Sequence, residues 1–124
     1  MNFLKVKPYI FDVLALMALG AIIIGSFLPP PDNPAPQTND KILHFGAYGA
    51  LTFLAVLSRI SLRDICVAVA AAILIGIAIE FLQPLAGRDN SAGDMLANTA
   101  GALLGGVAAM IARRVMPGLF VKRS

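Results

Sequence analysis

The chain has 124 residues, of which 58% are hydrophobic and only 14% are charged, and its formal net charge is +3. Ordinary globular domains carry about 25% charged residues, so a soluble protein this short and this apolar could not cover its surface with polar groups. We therefore predict a single membrane domain that spans residues 1–124. The only cysteine, Cys66, excludes an intramolecular disulfide and a thiolate metal site. It lies in an apolar run and is expected to be a small buried hydrophobe. No basic run is interleaved with aromatic residues, which argues against nucleic-acid binding.

The first apolar run covers residues 9–28, about the ~20 residues needed to cross a bilayer. The basic lead before it, with Lys5 and Lys7, would also suit a signal peptide. However, the run exceeds the roughly 7–15 residues of such a segment, and no small-x-small cleavage site follows. We therefore expect a retained transmembrane helix. Asp12 is expected in the first turn of this helix, where its carboxylate interacts favourably with the helix dipole and can pair with Lys5 or Lys7.

A proline-rich connector follows, reading PPPDNPAP at residues 29–36. It should be extended and exposed, because each proline removes an amide donor and disrupts a helix. Thr38, Asn39 or Asp40 is expected to cap the second helix, and Ser91 the fourth. The remaining predicted helices cover residues 41–58, 64–83 and 91–113.

Basic residues cluster in the N-terminal lead, in the loop between helices two and three, and in the C-terminal tail. These three segments hold eight of the ten lysines and arginines. With four spans they all lie on one side of the membrane, and the positive-inside rule makes that side cytoplasmic. The predicted fold is therefore an all-α integral membrane bundle of four transmembrane helices, with both termini in the cytoplasm.

Polar residues concentrate at the outward ends of helices two, three and four, and the opposite halves are nearly bare of them. Lys41, His44 and Tyr48 show the pattern, since they are spaced i, i+3 and i+7 on one helix face. Polar groups one or two turns inside a membrane face partners or a cavity, so we expect a shallow outer-leaflet pocket. The set comprises Asp40, Lys41, His44, Tyr48, Glu80, Gln83, Arg88, Asp94 and Asn98.

Three glycines lie on the same helix faces as these polar residues. Gly101 and Gly105 form a small-xxx-small pair on helix four, and Gly76 precedes Glu80 by one turn. Small residues let another helix approach closely. We expect helix packing inside the bundle, with a homodimer as the alternative.

The order of these residues resembles the VanZ-like family of bacterial membrane proteins. The similarity covers residues 40 to about 106. The resemblance implies a small multi-pass protein of the bacterial inner membrane. The family's name-giving member is associated with resistance to teicoplanin, a lipid-tailed glycopeptide that acts outside the membrane. The matching pattern is Asp40-Lys41-x-x-His44-x-x-x-Tyr48, Glu80-x-x-Gln83, Arg88 and Asp94-x-x-x-Asn98-x-x-Gly101-x-x-x-Gly105.

Two functions are open at this point. In the first, the site binds or modifies an amphiphilic envelope molecule, such as a lipid-linked wall precursor, or affects lipoglycopeptide susceptibility. His44 with Glu80 or Asp94 would supply acid–base catalysis. Arg88 would hold a phosphate or carboxylate, which its planar fork suits. The other substrate-binding residues would be Lys41, Tyr48, Gln83 and Asn98.

In the second, the protein is not an enzyme, and the cluster joins the helices through hydrogen bonds and ion pairs or forms a partner-docking face. Neither function requires a cofactor. A third possibility is a hard divalent cation such as Mg²⁺, bound by Asp94, Glu80 and His44 with amide oxygens. The expected partners are membrane lipids or a lipid-linked envelope molecule.

Overall fold

The computed structural model describes residues 6–33 and 36–119, except for the side chain of Gln37. Four long helices make up most of this part of the chain, which confirms the predicted all-α class. Short 3₁₀ helices follow the third and fourth of them, at Gln83–Ala86 and Pro117–Leu119. The long helices are α1 (Pro8–Phe27), α2 (Gln37–Leu57), α3 (Leu62–Leu82) and α4 (Ala92–Val115).

The start of α2 differs from the sequence-based prediction. Pro36 is the N-cap residue and no side chain caps the helix there, so the expectation of a cap at Thr38, Asn39 or Asp40 was wrong. These polar residues extend the helix back to the proline. Asp40 is therefore placed inside the first turn, where a carboxylate interacts favourably with the helix dipole.

Within residues 6–33 and 36–119, three segments are long and apolar enough to cross a membrane: α1, Leu62–Ala86 and α4. They make this a membrane protein. α2 is less apolar, because its first two turns carry Asp40, Lys41 and His44. The four-span topology with cytoplasmic termini stays a prediction.

α2 and α4 run parallel and share the most extensive interface of the fold. His44 faces Asn98 near the start of both helices, and further along the Thr52 hydroxyl donates to the Ala102 carbonyl at 2.7 Å. α1 and α3 run in the opposite direction. One end of the bundle, which we call the polar end, therefore collects the last turns of α1 and α3 and the first turns of α2 and α4.

Two glycines of α4 lie directly against the α2 backbone. A Cβ atom at Gly101 would overlap the carbonyl group of Phe45, and one at Gly105 would overlap the carbonyl of Gly49 and the hydroxyl of Thr52. The close approach of the two helices requires that neither position carry a side chain. A homodimer stays a prediction.

A second polar cluster lies at the opposite end of the bundle. Asp12 accepts hydrogen bonds from Ser58 Oγ at 2.6 Å and from Arg59 Nη1 at 3.1 Å. The helix starts at Pro8, so Asp12 lies beyond the first turn, contrary to expectation. Lys5 lies outside the described residues. This cluster joins α1 to the residues that follow α2, and it was not predicted from the sequence.

Cys66 is exposed on α3, so the prediction that it is buried was also wrong. It lies in the first turns of that helix, which has only Ile65 buried among its opening residues. Apolar side chains of a membrane helix can face either the lipid or the protein core. Hydropathy alone does not distinguish these two environments.

Candidate functional site

His44 is surrounded by carboxylates at the polar end. Its Nδ1 atom lies 2.9 Å from Asn98 Oδ1 and 3.9 Å from Glu80 Oε1. Its Nε2 atom lies 3.7 Å from Asp94 Oδ2 and 3.8 Å from Asp40 Oδ2. The structure therefore brings together the three residues that the sequence analysis assigned to catalysis, His44, Glu80 and Asp94.

Glu80 joins the end of α3 to the start of α4. The residue is fully buried, and its Oε2 atom accepts a hydrogen bond from the Ser91 backbone amide at 3.1 Å. Ser91 is the N-cap of α4, as predicted, and its hydroxyl accepts from the Asp94 amide at 3.2 Å. Amides at a helix start have no partner within the helix, so Glu80 and Ser91 together satisfy two polar groups that the bundle would otherwise leave unpaired.

Lys41 joins α2 to the same helix start. Its ammonium group lies 3.3 Å from Asp94 Oδ1. Asp94 is buried, whereas 41% of the Lys41 side chain is exposed. The pair lies at the edge of the cluster, where water screens it partly, so its stabilising effect is modest.

Tyr48, Glu80 and Asn98 each bury a polar atom that has no hydrogen-bond partner among the described residues. These atoms are the Tyr48 hydroxyl, Glu80 Oε1 and Asn98 Nδ2. Gly76 makes the arrangement possible, because a Cβ there would lie 3.0 Å from Tyr48 Cε1 and 3.4 Å from Asn98 Cβ. Three of the buried polar groups near His44 are thus left without a partner in the described part of the chain, whereas the buried Thr52 hydroxyl is hydrogen-bonded.

Replacing Tyr48 with phenylalanine should therefore leave the stability of the bundle unchanged or raise it by up to about 1 kcal/mol, since it removes a buried hydroxyl that lacks a partner. Unfolding of the detergent-solubilised protein measures this. A loss above about 1 kcal/mol would show that the hydroxyl makes a stabilising hydrogen bond.

Gln83 and Arg88 face α1 rather than the carboxylates. Gln83 Nε2 donates to the Ser26 carbonyl at 3.3 Å. Arg88 Nη1 lies 3.5 Å from the carbonyl oxygens of both Gly25 and Leu28. The two predicted substrate-binding residues therefore occupy the α1 side of the polar end.

A cavity of about 390 Å³ lies between these groups, along α1 and α2. The polar part of the cavity lining consists of Asp40, His44, Gln83 and Arg88, and the rest of the lining consists mostly of small apolar residues. Glu80 and Asp94 are not among the lining residues; they lie behind His44 and contact its ring. The walls comprise Ala18, Ala21, Ile22, Leu43, Ala47 and Ala50.

Sequence reasoning missed the contribution of α1. Gly25 and Ser26 line the cavity, and their small size at the end of an apolar run was the available signal. The role of Thr52 was also not predicted; this residue is fully buried and donates a hydrogen bond to the Ala102 carbonyl of α4.

The fold and the site define a small helical membrane protein with a buried polar cluster at one end of its bundle. A family model described as VanZ/LLP1 matches residues 9–113. The chain therefore belongs to the VanZ/LLP1 family, as the resemblance predicted. The match extends beyond residues 40 to 106 and includes α1. No curated protein and no solved structure matches the chain.

Proposed function

We propose that the protein binds an anionic, amphiphilic molecule of the cell envelope at the polar end. The observation that carries this proposal is the cavity, which combines a polar end with a long apolar wall. A headgroup would occupy the end near Arg88 and His44. The hydrocarbon tail would lie along the alanine-rich faces of α1 and α2, where it would make van der Waals contacts in place of membrane lipid.

Arg88 is the residue best placed to hold the anionic group. Its contacts with the Gly25 and Leu28 carbonyls, at 3.5 Å, are longer than good hydrogen bonds. A phosphate or carboxylate would offer it stronger, charge-assisted bonds in a bidentate arrangement.

A second cavity of about 350 Å³ lies at the opposite end of the bundle. Its arginine, Arg59, is already paired with Asp12 at 3.1 Å. An anionic ligand there would have to displace a carboxylate, so the cavity near Arg88 is the better anion site.

The positive-inside rule directs the polar end outward, away from the cytoplasm. In a bacterial inner membrane, lipid-linked wall precursors and lipid-tailed glycopeptides would then be within reach. We extend the proposal to teicoplanin-type susceptibility on the strength of family membership. His44 lines the cavity and would carry any acid–base step, while Glu80 and Asp94 would orient its ring.

A polyprenyl phosphate and the corresponding neutral polyprenol provide a matched pair of probes. We expect the detergent-purified protein to retain the phosphate at least tenfold more tightly in native mass spectrometry, a difference of about 1.4 kcal/mol. Arg88→Gln should abolish this preference. Arg63→Gln makes the same charge change at the opposite end of α3 and should preserve it. Equal retention of both probes by the wild-type protein would refute the proposal.

The second candidate function is a helix-joining role without ligand binding. It is favoured by the Glu80–Ser91 contact at 3.1 Å, which ties α3 to α4. This role predicts that substitutions of His44, Glu80 or Asp94 lower stability. Arg88 faces α1 rather than these residues, so Arg88→Gln should change neither stability nor teicoplanin susceptibility. Susceptibility of cells expressing the variants, read beside unfolding of the purified proteins, distinguishes the two candidates.

A further inference from the structure

We propose that Asp40, His44 and Asp94 form a binding site for a divalent first-row transition metal such as Mn²⁺ or Zn²⁺. This set differs from the one that the sequence analysis considered, because it includes Asp40 and places Glu80 outside the ligands. The site does not depend on the proposed ligand of the cavity.

The spacing of the three residues suits one shared cation. One potential ligand atom from each lies within 4.8 Å of the other two. The separations of His44 Nε2 from the two aspartate Oδ2 atoms, 3.7 and 3.8 Å, are too long for good N–H···O hydrogen bonds, which span about 2.7–3.2 Å. A cation between these atoms could sit at the roughly 2.0–2.6 Å that metal–nitrogen and metal–oxygen bonds require.

The hydrogen bond on the other side of the ring favours the same interpretation. Asn98 Oδ1 faces the ring, so the 2.9 Å contact is a hydrogen bond when His44 Nδ1 carries the proton. In the neutral ring, Nε2 then presents a lone pair toward Asp40 and Asp94, which offer only lone pairs themselves. Three acceptors converge with no donor among them, and a metal ion satisfies all three. A metal-binding histidine typically has its second nitrogen fixed in this way.

The charge balance of the cluster gives an independent indication. Three carboxylates approach His44, and Lys41 is the cation within 4 Å of them among the described residues. Glu80 is fully buried, its Oε1 atom has no hydrogen-bond partner there, and that atom points at the His44 ring from 3.9 Å. Buried negative charge is costly unless it is paired. A divalent cation on the far side of the imidazole would offset it.

The ligand chemistry selects the class of metal. Imidazole favours transition metals over Mg²⁺ and Ca²⁺, and two carboxylates suit Mn²⁺ and Zn²⁺. Asp40 and His44 are spaced i, i+4 on α2, and Asp94 comes from the first turn of α4. The Asp40 side chain is 39% exposed, so water can complete the coordination. Both Asp40 and His44 also line the cavity, where a cation would relieve repulsion between Asp40 and an anionic headgroup.

The test is Mn²⁺ binding to tag-free, chelator-stripped protein in detergent, followed by electron paramagnetic resonance without any added lipid. We expect about one ion per chain. Asp40→Asn and His44→Gln should each weaken binding at least tenfold, and Zn²⁺ should displace Mn²⁺. Asp89→Asn makes the same charge change in the exposed loop and should bind as the wild type does.

Asp40→Asn is the decisive variant, because its half-exposed side chain can change without opening the bundle; a thermal unfolding curve checks that it is folded. Failure of the wild type to bind about one ion would overturn the proposal. Wild-type affinity in folded Asp40→Asn, or equal loss in Asp89→Asn, would also overturn it. Because no lipid is present, none of these outcomes bears on the polyprenyl phosphate result.

Discussion

Gly105→Ala is expected to destabilise the bundle by about 2–3 kcal/mol or more. The new methyl group would overlap the Gly49 carbonyl and the Thr52 hydroxyl, and backbone atoms cannot move aside as the end of a side chain can. Overpacking a tight interface typically costs about 1–3 kcal/mol. The change would also strain the Thr52–Ala102 hydrogen bond, which lies in the same interface. Unfolding of the detergent-solubilised protein measures the effect.

Gly46→Ala is the matched control, because a Cβ atom at Gly46 meets no atom within 4 Å. Alanine has the better helix propensity by about 1 kcal/mol, so this variant should be as stable as the wild type or more so. If both alanine variants were equally stable, α2 and α4 would not pack through Gly105 as described.

Glu80→Ala is expected to cost about 2–4 kcal/mol. The substitution removes the acceptor for the half-buried Ser91 amide and leaves a cavity where a fully buried side chain stood. An unsatisfied buried donor costs about 1–3 kcal/mol, and the lost packing adds to that. The start of α4 should fray, which hydrogen exchange of the amides of residues 91–95 would detect.

Glu80→Gln removes the charge of this side chain but keeps its size and its hydrogen-bond acceptor. The amide oxygen of glutamine can still accept from Ser91, so most of the stability should be kept. Asp89→Ala, in the exposed loop, is the control and should change stability by less than about 0.5 kcal/mol. A loss in Glu80→Gln as large as in Glu80→Ala would show that the carboxylate charge, rather than the hydrogen bond, stabilises the bundle.

The sequence predicted the helices and most of the cluster because both depend on local spacing. Periodicity placed Lys41, His44 and Tyr48 on one face of α2, and the charge distribution suggested which helix ends meet. The Ser91 cap was readable from its residue type and position, since serine favours the N-cap. Family membership followed from the same spacings.

The contacts between distant segments were not predictable in this way. Asp12 pairs with Arg59, and Gln83 with the Ser26 carbonyl, through geometry that only the packed helices define. The cavity depends on small residues of α1, and the sequence does not show which of them face α2. The cap of α2 was mispredicted because three polar residues in succession satisfy the same capping preference.

The most direct test of the proposed function is photo-crosslinking of the protein in membranes with a polyprenyl phosphate that carries a photoreactive group on its tail. We expect crosslinks on the cavity faces of α1 and α2, around Ala21 and Ala47, and their loss in Arg88→Gln. Crosslinks spread over the exposed face of α4, around Leu103 and Leu104, and unchanged in Arg88→Gln would contradict it.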